Sequence, residues 1–283
     1  GFPKFTSREV FNLMNNSVLR PTAFVLVATN HGSMLVNRHD YRMIEGGGGY
    51  GVGYQLLNTS AFDQSEVNMA LRLLESRRKH FGDGVMAIDC GANVGVHTIE
   101  WAKFMFGWGH VVAFEAQERI YYALAGNITL NNCFNAQAMW AAVGAEAGII
   151  DVPCPDYFTP SSFGSLEIRK KDTTEFIGQE IDYENQTQPV NIVKIDALDL
   201  PRLDLLKIDI EGMEIEALQG AEVTIERCKP QLLVEKIKCN QVELYAFLNR
   251  FGYRYASVGI NVLAIHHSDP AVALLDDFAG GVA

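Results

Sequence analysis

The chain has 283 residues, of which 48% are apolar and 20% charged, and a formal net charge of −11. That content can bury one substantial core with an appended subdomain, and it excludes a disordered chain. No apolar run nears the roughly 20 residues that a membrane-spanning helix needs. The basic clusters Arg77-Arg78-Lys79 and Arg169-Lys170-Lys171 are too short to track a phosphate backbone, so neither membrane nor nucleic acid is an expected partner.

Five cysteines, Cys90, Cys133, Cys154, Cys228 and Cys239, contain no Cys-x-x-Cys pair. This argues against a zinc site and a disulfide framework and favours a reducing cytoplasm. No basic stretch followed by an apolar run and a small-residue cleavage site opens the chain, so secretion is not expected. The sequons at Asn58 and Asn127 then read as chance matches.

In chain order, a helix is expected over Phe5–Met14 and strands over Ala23–Ala28 and Ser33–Asn37. Gly46 to Gly53 reads as a flexible loop, because a phosphate loop needs a preceding strand, a following helix and a Lys-Ser/Thr pair. Apolar spacing at Val67, Ala70, Leu71, Leu73 and Leu74 predicts a helix over Ser65–His80, capped by Asp63 or Ser65. Residues 1–80 thus form an N-terminal α/β extension, with a cap or an oligomerisation element as the roles open to it.

Residues 81–283 read as the main domain, and strand and helix alternate through it. Strands fall at 85–88, 110–114, 136–143, 203–208 and 231–234, and helices at 97–106, 120–130, 214–227 and 242–251. Two last strands follow at 253–258 and 261–265. Such alternation predicts a doubly wound, mostly parallel sheet with helices on both faces. Between about 145 and 195 the rhythm breaks into prolines, serines and short strands, an insertion of the kind that shapes a substrate pocket.

In an open parallel sheet the ligand sits beyond the C-terminal strand ends, at the first strand-to-helix turn. That turn is Asp89-Cys90-Gly91-Ala92-Asn93-Val94-Gly95. Gly91 and Gly95 supply backbone freedom, and Asn93 tolerates a left-handed conformation. The amides from Val96 to Thr98 open the next helix and favour a carboxylate. An acid directly before the turn repels the pyrophosphate of a dinucleotide but attracts an ammonium or a sulfonium. Glu115, ending the second strand, stands where an acid accepts hydrogen bonds from ribose hydroxyls. S-adenosylmethionine fits both acids, and Ala92, His97, Thr98 and Ala116 complete the expected cofactor contacts. His97 also reads as a surface residue at a helix start.

The chain resembles the FkbM family of class I methyltransferases. The resemblance is carried by Ala87-Ile88-Asp89-Cys90-Gly91-Ala92-Asn93-Val94-Gly95, by Val112-Ala113-Phe114-Glu115-Ala116, by Leu206-Lys207-Ile208-Asp209-Ile210-Glu211-Gly212 with Glu214, Leu218, Gly220 and Ala221, and by Leu232-Leu233-Val234-Glu235. It covers about two thirds of the chain, and Lys-Ile-Asp-Ile-Glu-Gly is its most particular motif. Cys90 departs from the small or aliphatic residue commoner there, and the first 60 residues match no family. The resemblance implies a Rossmann-like seven-stranded sheet with an antiparallel last hairpin, S-adenosylmethionine as donor, and O-methylation of a sugar, glycan or natural-product hydroxyl.

A hydroxyl acceptor needs a base or a metal as the new bond forms. Asp209 is expected to contact acceptor or cofactor, with Glu211 or Glu235 as base or metal ligand; a divalent cation stays open. The plainer readings make Glu211 a helix cap and pair Glu235 with Lys207 or Lys236. Trp140 is the aromatic expected to stack on adenine or sugar, whereas His266 and His267 belong at the opposite end of the sheet. Two alternatives remain: a nicotinamide-dependent sugar oxidoreductase, which lacks a Tyr-x-x-x-Lys pair here, and a binding protein without turnover.

Overall fold

Apolar runs bounded by turn residues set the architecture of the computed structural model, which describes residues 20–280. The helix expected over Phe5–Met14 lies outside the described residues. A first hairpin joins β1 (Phe24–Thr29) to β2 (Gly32–Asn37), and a second, shorter one joins β3 (Arg42–Met43) to β4 (Gly49–Tyr50). The glycine-rich segment is the tip of that second hairpin, and it runs directly into α1 (Val52–Thr59) rather than ending as a loop. Gly53 permits this: a Cβ there would lie 2.5 Å from the carbonyl oxygen of Asn37. α2 (Gln64–Phe81) follows, burying Val67, Ala70, Leu73 and Leu74 along one face.

The main domain then alternates β5 (Val85–Cys90), α3 (Val96–Phe104), β6 (Gly109–Glu115), α4 (Glu118–Leu130) and β7 (Ala136–Trp140). The strand expected over 136–143 is cut at Ala141. Beyond it β8 (Ala142–Val143) joins a separate three-stranded sheet with β9 (Gly148–Pro153) and β10 (Thr187–Val193). Alternation resumes with β11 (Leu205–Ile208), α5 (Glu214–Gln219), α6 (Glu222–Cys228), β12 (Gln231–Glu235), α7 (Gln241–Arg250), β13 (Tyr253–Val258), β14 (Asn261–His266) and α8 (Leu274–Gly280). The single helix expected over 214–227 is two: at the break the Gly220 carbonyl accepts from the Asp196 amide at 2.9 Å, and Gly220 packs on Gly144, where a Cβ would lie 2.1 Å from the carbonyl oxygen. Asp196 accepts from the Val223 and Thr224 amides and so caps α6, not the turn that follows it in sequence.

Seven strands form the main sheet in the order β13-β14-β12-β11-β5-β6-β7. Only β14 runs against its neighbours β12 and β13; the other pairings are parallel. Buried on both faces, β5, β11 and β12 are nearly continuous apolar runs, as central parallel strands must be. Their C-terminal ends carry Asp89, Lys207 with Asp209, and Glu235 to one edge. All five cysteines are free. Asn127 is fully buried and donates Nδ2 to the Leu35 and Val94 carbonyls, so its sequon is structural. His266 and His267 lie at the far end of β14, against Gly252 and Ser268.

The N-terminal hairpins meet the insertion at Asp40, which is buried and has no salt-bridge partner among the described residues. Its Oδ2 accepts from the Gly53 amide at 2.9 Å and its Oδ1 from the Phe163 amide at 3.0 Å. Desolvation raises its pKa to about 6, the two amides only partly opposing this. Asp40→Ala leaves both amides buried without acceptors. Each is worth about 1–3 kcal/mol, so denaturant unfolding is expected to show a loss of roughly 2–5 kcal/mol. A loss below about 1 kcal/mol, or unchanged hydrogen exchange at Gly53 and Phe163, contradicts this junction.

Candidate active site

A cavity of about 510 Å³ lies over the C-terminal ends of β6, β5, β11 and β12. That volume suits a small-molecule site. Its floor is the turn after β5. Asn93 takes the left-handed conformation at φ 49, and its Oδ1 accepts from the Val94 amide. Gly91, at φ +79, packs against the turn after β11: a Cβ there would lie 1.8 Å from the carbonyl oxygen of Asp209. The neighbour this glycine admits is therefore the protein's own backbone.

The amides of the turn are spent internally. Gly91 and Ala92 both donate to the Phe114 carbonyl at 3.0 and 2.9 Å, Asn93 to Glu115 Oε2 at 3.0 Å, and Gly95 to the Ala92 carbonyl at 2.8 Å. With Val94 also satisfied, the amides from Gly91 to Gly95 leave no cradle for a phosphate. The acid beneath them is different. Asp89 is fully buried; Thr98 donates to its Oδ2 at 2.7 Å, while Oδ1 has no hydrogen-bond partner among the described residues. Thr98 thus holds Asp89 from below rather than reaching the cavity, and Gly95 packs on Leu124.

Glu115, Ala116, Ala92, Asn93 and His97 line the cavity. Glu115 takes two amides, Asn93 on Oε2 and Gln117 on Oε1, which leaves half of its acceptor sites open. Burial pushes its pKa up to about 7 despite these amides. His97 is buried, with Nε2 3.2 Å from Glu66 Oε1. Trp140 is absent from the cavity wall: it donates Nε1 to the Ala116 carbonyl and stacks on Tyr121. Ala141, Ala142 and Val143 take the wall position beside it.

Asp209, Glu211 and Glu235 do converge in the cavity wall, but lysines stand among them. Lys207 Nζ is 3.0 Å from Asp209 Oδ2 and 4.0 Å from Asp89 Oδ1. Burial opposes its charge, yet Asp209, Asp89 and Glu66 outweigh this and raise its pKa above the ordinary range. Lys238 Nζ bonds Glu211 Oε2 at 2.7 Å, Glu175 Oε2 at 3.1 Å and the Ser165 carbonyl at 2.8 Å. Glu211 sits in left-handed backbone at φ 56, and burial with Asp209 lifts its pKa to about 8 against the pull of Lys238. It does not cap the next helix. Glu214, the first residue of that helix, instead accepts from the Gly212 and Ile210 amides of the turn before it.

Glu235 pairs with neither Lys207 nor Lys236. Its Oε1 accepts from the Ile237 amide, its Oε2 is buried with no hydrogen-bond partner among the described residues, and burial lifts its pKa to about 7. Among the described residues no three His, Cys, Asp or Glu side chains are placed to hold a metal ion. The donor set does not fit a divalent cation; Lys207 and Lys238 balance the carboxylates instead. Sequence reading did not assign Lys207, Lys238, Glu66, Tyr50 and Glu175 to the site. Only Lys207 had a usable signal, as a charge inside an otherwise apolar buried strand.

The strand order and the acids at neighbouring strand tips define a class, the Rossmann-like methyltransferase fold. The methyltransferase FkbM domain matches residues 89–255, and the chain belongs to the FkbM methyltransferase family. No curated protein matches it. Among solved structures it is similar to the methyltransferase FkbM of Methylobacillus flagellatus KT, with 15% identity and a TM-score of 0.45 over 68% of this chain and 48% of that one. The chain therefore spans about half the length of that protein. It is also similar to precorrin-6y C5,15-methyltransferase of Geobacter metallireducens GS-15, at 14% identity and a TM-score of 0.42 over 74% of this chain and 89% of the other. A SAM dependent methyltransferase of Aquifex aeolicus shares 14% identity at a TM-score of 0.33, over 72% and 99% respectively.

Three glutamates of the cavity wall make stability depend on pH. Each titrates near 4.5 when unfolded, but Glu115, Glu235 and Glu211 titrate at about 7, 7 and 8 when folded. Between those limits the folded chain binds more protons than the unfolded one, so stability is lost as pH rises. The thermal midpoint of the free protein is expected to fall from about pH 5 to about pH 8, as calorimetry can follow. A midpoint that rises over that span contradicts these protonation states.

Proposed function

We propose that the chain is an S-adenosylmethionine-dependent O-methyltransferase acting on a hydroxyl of a sugar, a glycan or a small natural product. One contrast carries the reading: the turn after β5 has its amides satisfied internally, while the acid beneath it keeps an oxygen unpartnered. A dinucleotide needs the reverse, free amides for its pyrophosphate and no buried acid beside them. A phosphate-free nucleoside with a positive amino-acid tail suits what is there. Asp89 would receive the ammonium and Glu115 the ribose hydroxyls.

When bound, S-adenosylmethionine supplies an electrophilic methyl group on its sulfonium. The chain supplies position and a proton acceptor. Nucleoside held over β6 and β5 leaves the β11 and β12 side of the cavity for the acceptor, where Asp209, Glu211 and Glu235 stand. Lys207 and Lys238 anchor the first two, so Glu235, with Oε2 free and a pKa near neutrality, is the general base. Asp209 orients the acceptor, and holding it in line can contribute about 7–11 kcal/mol to lowering the barrier.

Glu235→Gln keeps the shape and removes the base. Turnover is expected to fall roughly 10²- to 10⁴-fold, with S-adenosylhomocysteine affinity within about twofold of wild type. Asp209→Asn should likewise abolish turnover at little cost in cofactor affinity. In the wild type, kcat/KM should climb with pH and level off above about 7 as Glu235 loses its proton. Methyl release across a panel of glycans and hydroxylated natural products reads all three, and full activity of Glu235→Gln sinks the assignment of the base.

A further inference from the structure

α2 lies ahead of the stretch that the FkbM domain matches, yet its first turn brings Glu66 into the cavity wall. Side chains from two other elements hold that carboxylate in place. Asn261, opening β14, donates Nδ2 to Oε2 at 2.7 Å, and His97, in the first turn of α3, sets Nε2 3.2 Å from Oε1. Burial disfavours the charge on Glu66, but His97, Lys207 and Asn261 prevail and hold its pKa down to about 2. It is an anion at any working pH. Its carboxylate is largely shielded from solvent, and both of its oxygens have a side-chain partner.

Glu66, Asp89 and Asp209 share the charge of Lys207, which lies 3.0 Å from Asp209 and 4.0 Å from Asp89. Three anions around one ammonium leave the potential negative, and Asp89 Oδ1, fully buried, has no hydrogen-bond partner among the described residues. An additional donor with positive charge completes both accounts. We infer that Glu66 is a second carboxylate, beside Asp89, that binds the α-ammonium of the cofactor's amino-acid moiety, with His97 and Asn261 as its positioning residues. The inference rests on the S-adenosylmethionine reading of the site. It assigns part of cofactor recognition to the N-terminal extension, outside the strands and turns that carry the family motifs.

Two nucleosides separate this role from a structural one. S-adenosylhomocysteine carries the ammonium; 5′-methylthioadenosine has the same nucleoside and no amino-acid tail. By calorimetric titration, Glu66→Gln is expected to weaken S-adenosylhomocysteine about tenfold or more and to leave 5′-methylthioadenosine within about twofold. Glu66→Asp keeps the charge against Lys207 and His97, which protects the fold, while drawing it back by one methylene; it should show a smaller loss with the same selectivity. Equal losses for both nucleosides, or none for either, overturn the inference and mark Glu66 as a counter-charge to Lys207 alone. A wild-type chain that binds neither nucleoside overturns the cofactor reading itself, a result distinct from the loss of selectivity.

Discussion

The ammonium of Lys207 is what allows carboxylates to stand side by side at the tips of β5 and β11. Without it, Asp89 and Asp209 would face one another as like charges in a poorly solvated setting. With it, both keep their places, and Glu66 can approach from α2. Buried ion pairs contribute little to stability, because desolvation consumes most of the attraction. What Lys207 secures is arrangement. It sets a negative field on one side of the cavity floor, and the close packing of Gly91 on the Asp209 backbone fixes how near the two strand-end turns stand.

Much of this was legible in the chain itself. Central parallel strands are buried on both faces, so β5, β11 and β12 read as apolar runs, and the positive backbone angles at Gly91, Asn93 and Gly95 are ones that glycine and asparagine announce. The candidate acids were visible because each terminates such a run. Partners distant in sequence were not. Lys238 reaches Glu211 from beyond the next strand, and nothing local to His97 says that α2 will lay Glu66 against it. Breaks were missed where a tertiary contact decides them: the Gly220 carbonyl leaves the helical ladder for the Asp196 amide, and the strand after Ala136 stops when the chain changes sheets at Ala141. The glycine-rich segment misled for the opposite reason, since its last glycines serve close packing at the start of a helix.

The cavity divides by chemistry along the order of the strands. Over β6 and β5 the wall is backbone and small side chains, with Glu115 and Asp89 as its acids. Over β11 and β12 it turns to charged pairs, and Lys238 links Glu211 to Glu175 in the insertion, where the Tyr50 hydroxyl donates at 2.6 Å. Hairpin, insertion and sheet thus share one electrostatic network on that side of the cavity. A charge altered in any of the three is felt by the other two.

Asp40 joins the Gly53 amide, 13 residues away in sequence, to the Phe163 amide, 123 residues away. Contacts of such separation form late, after shorter loops have closed. The contact to Gly53 is local and the one to Phe163 is not, so the carboxylate is held on the hairpin side before the insertion docks on it. The same separation gives two independent handles on the junction: helix α1 or the insertion can be remodelled alone, provided the remodelled segment still offers its amide to that carboxylate.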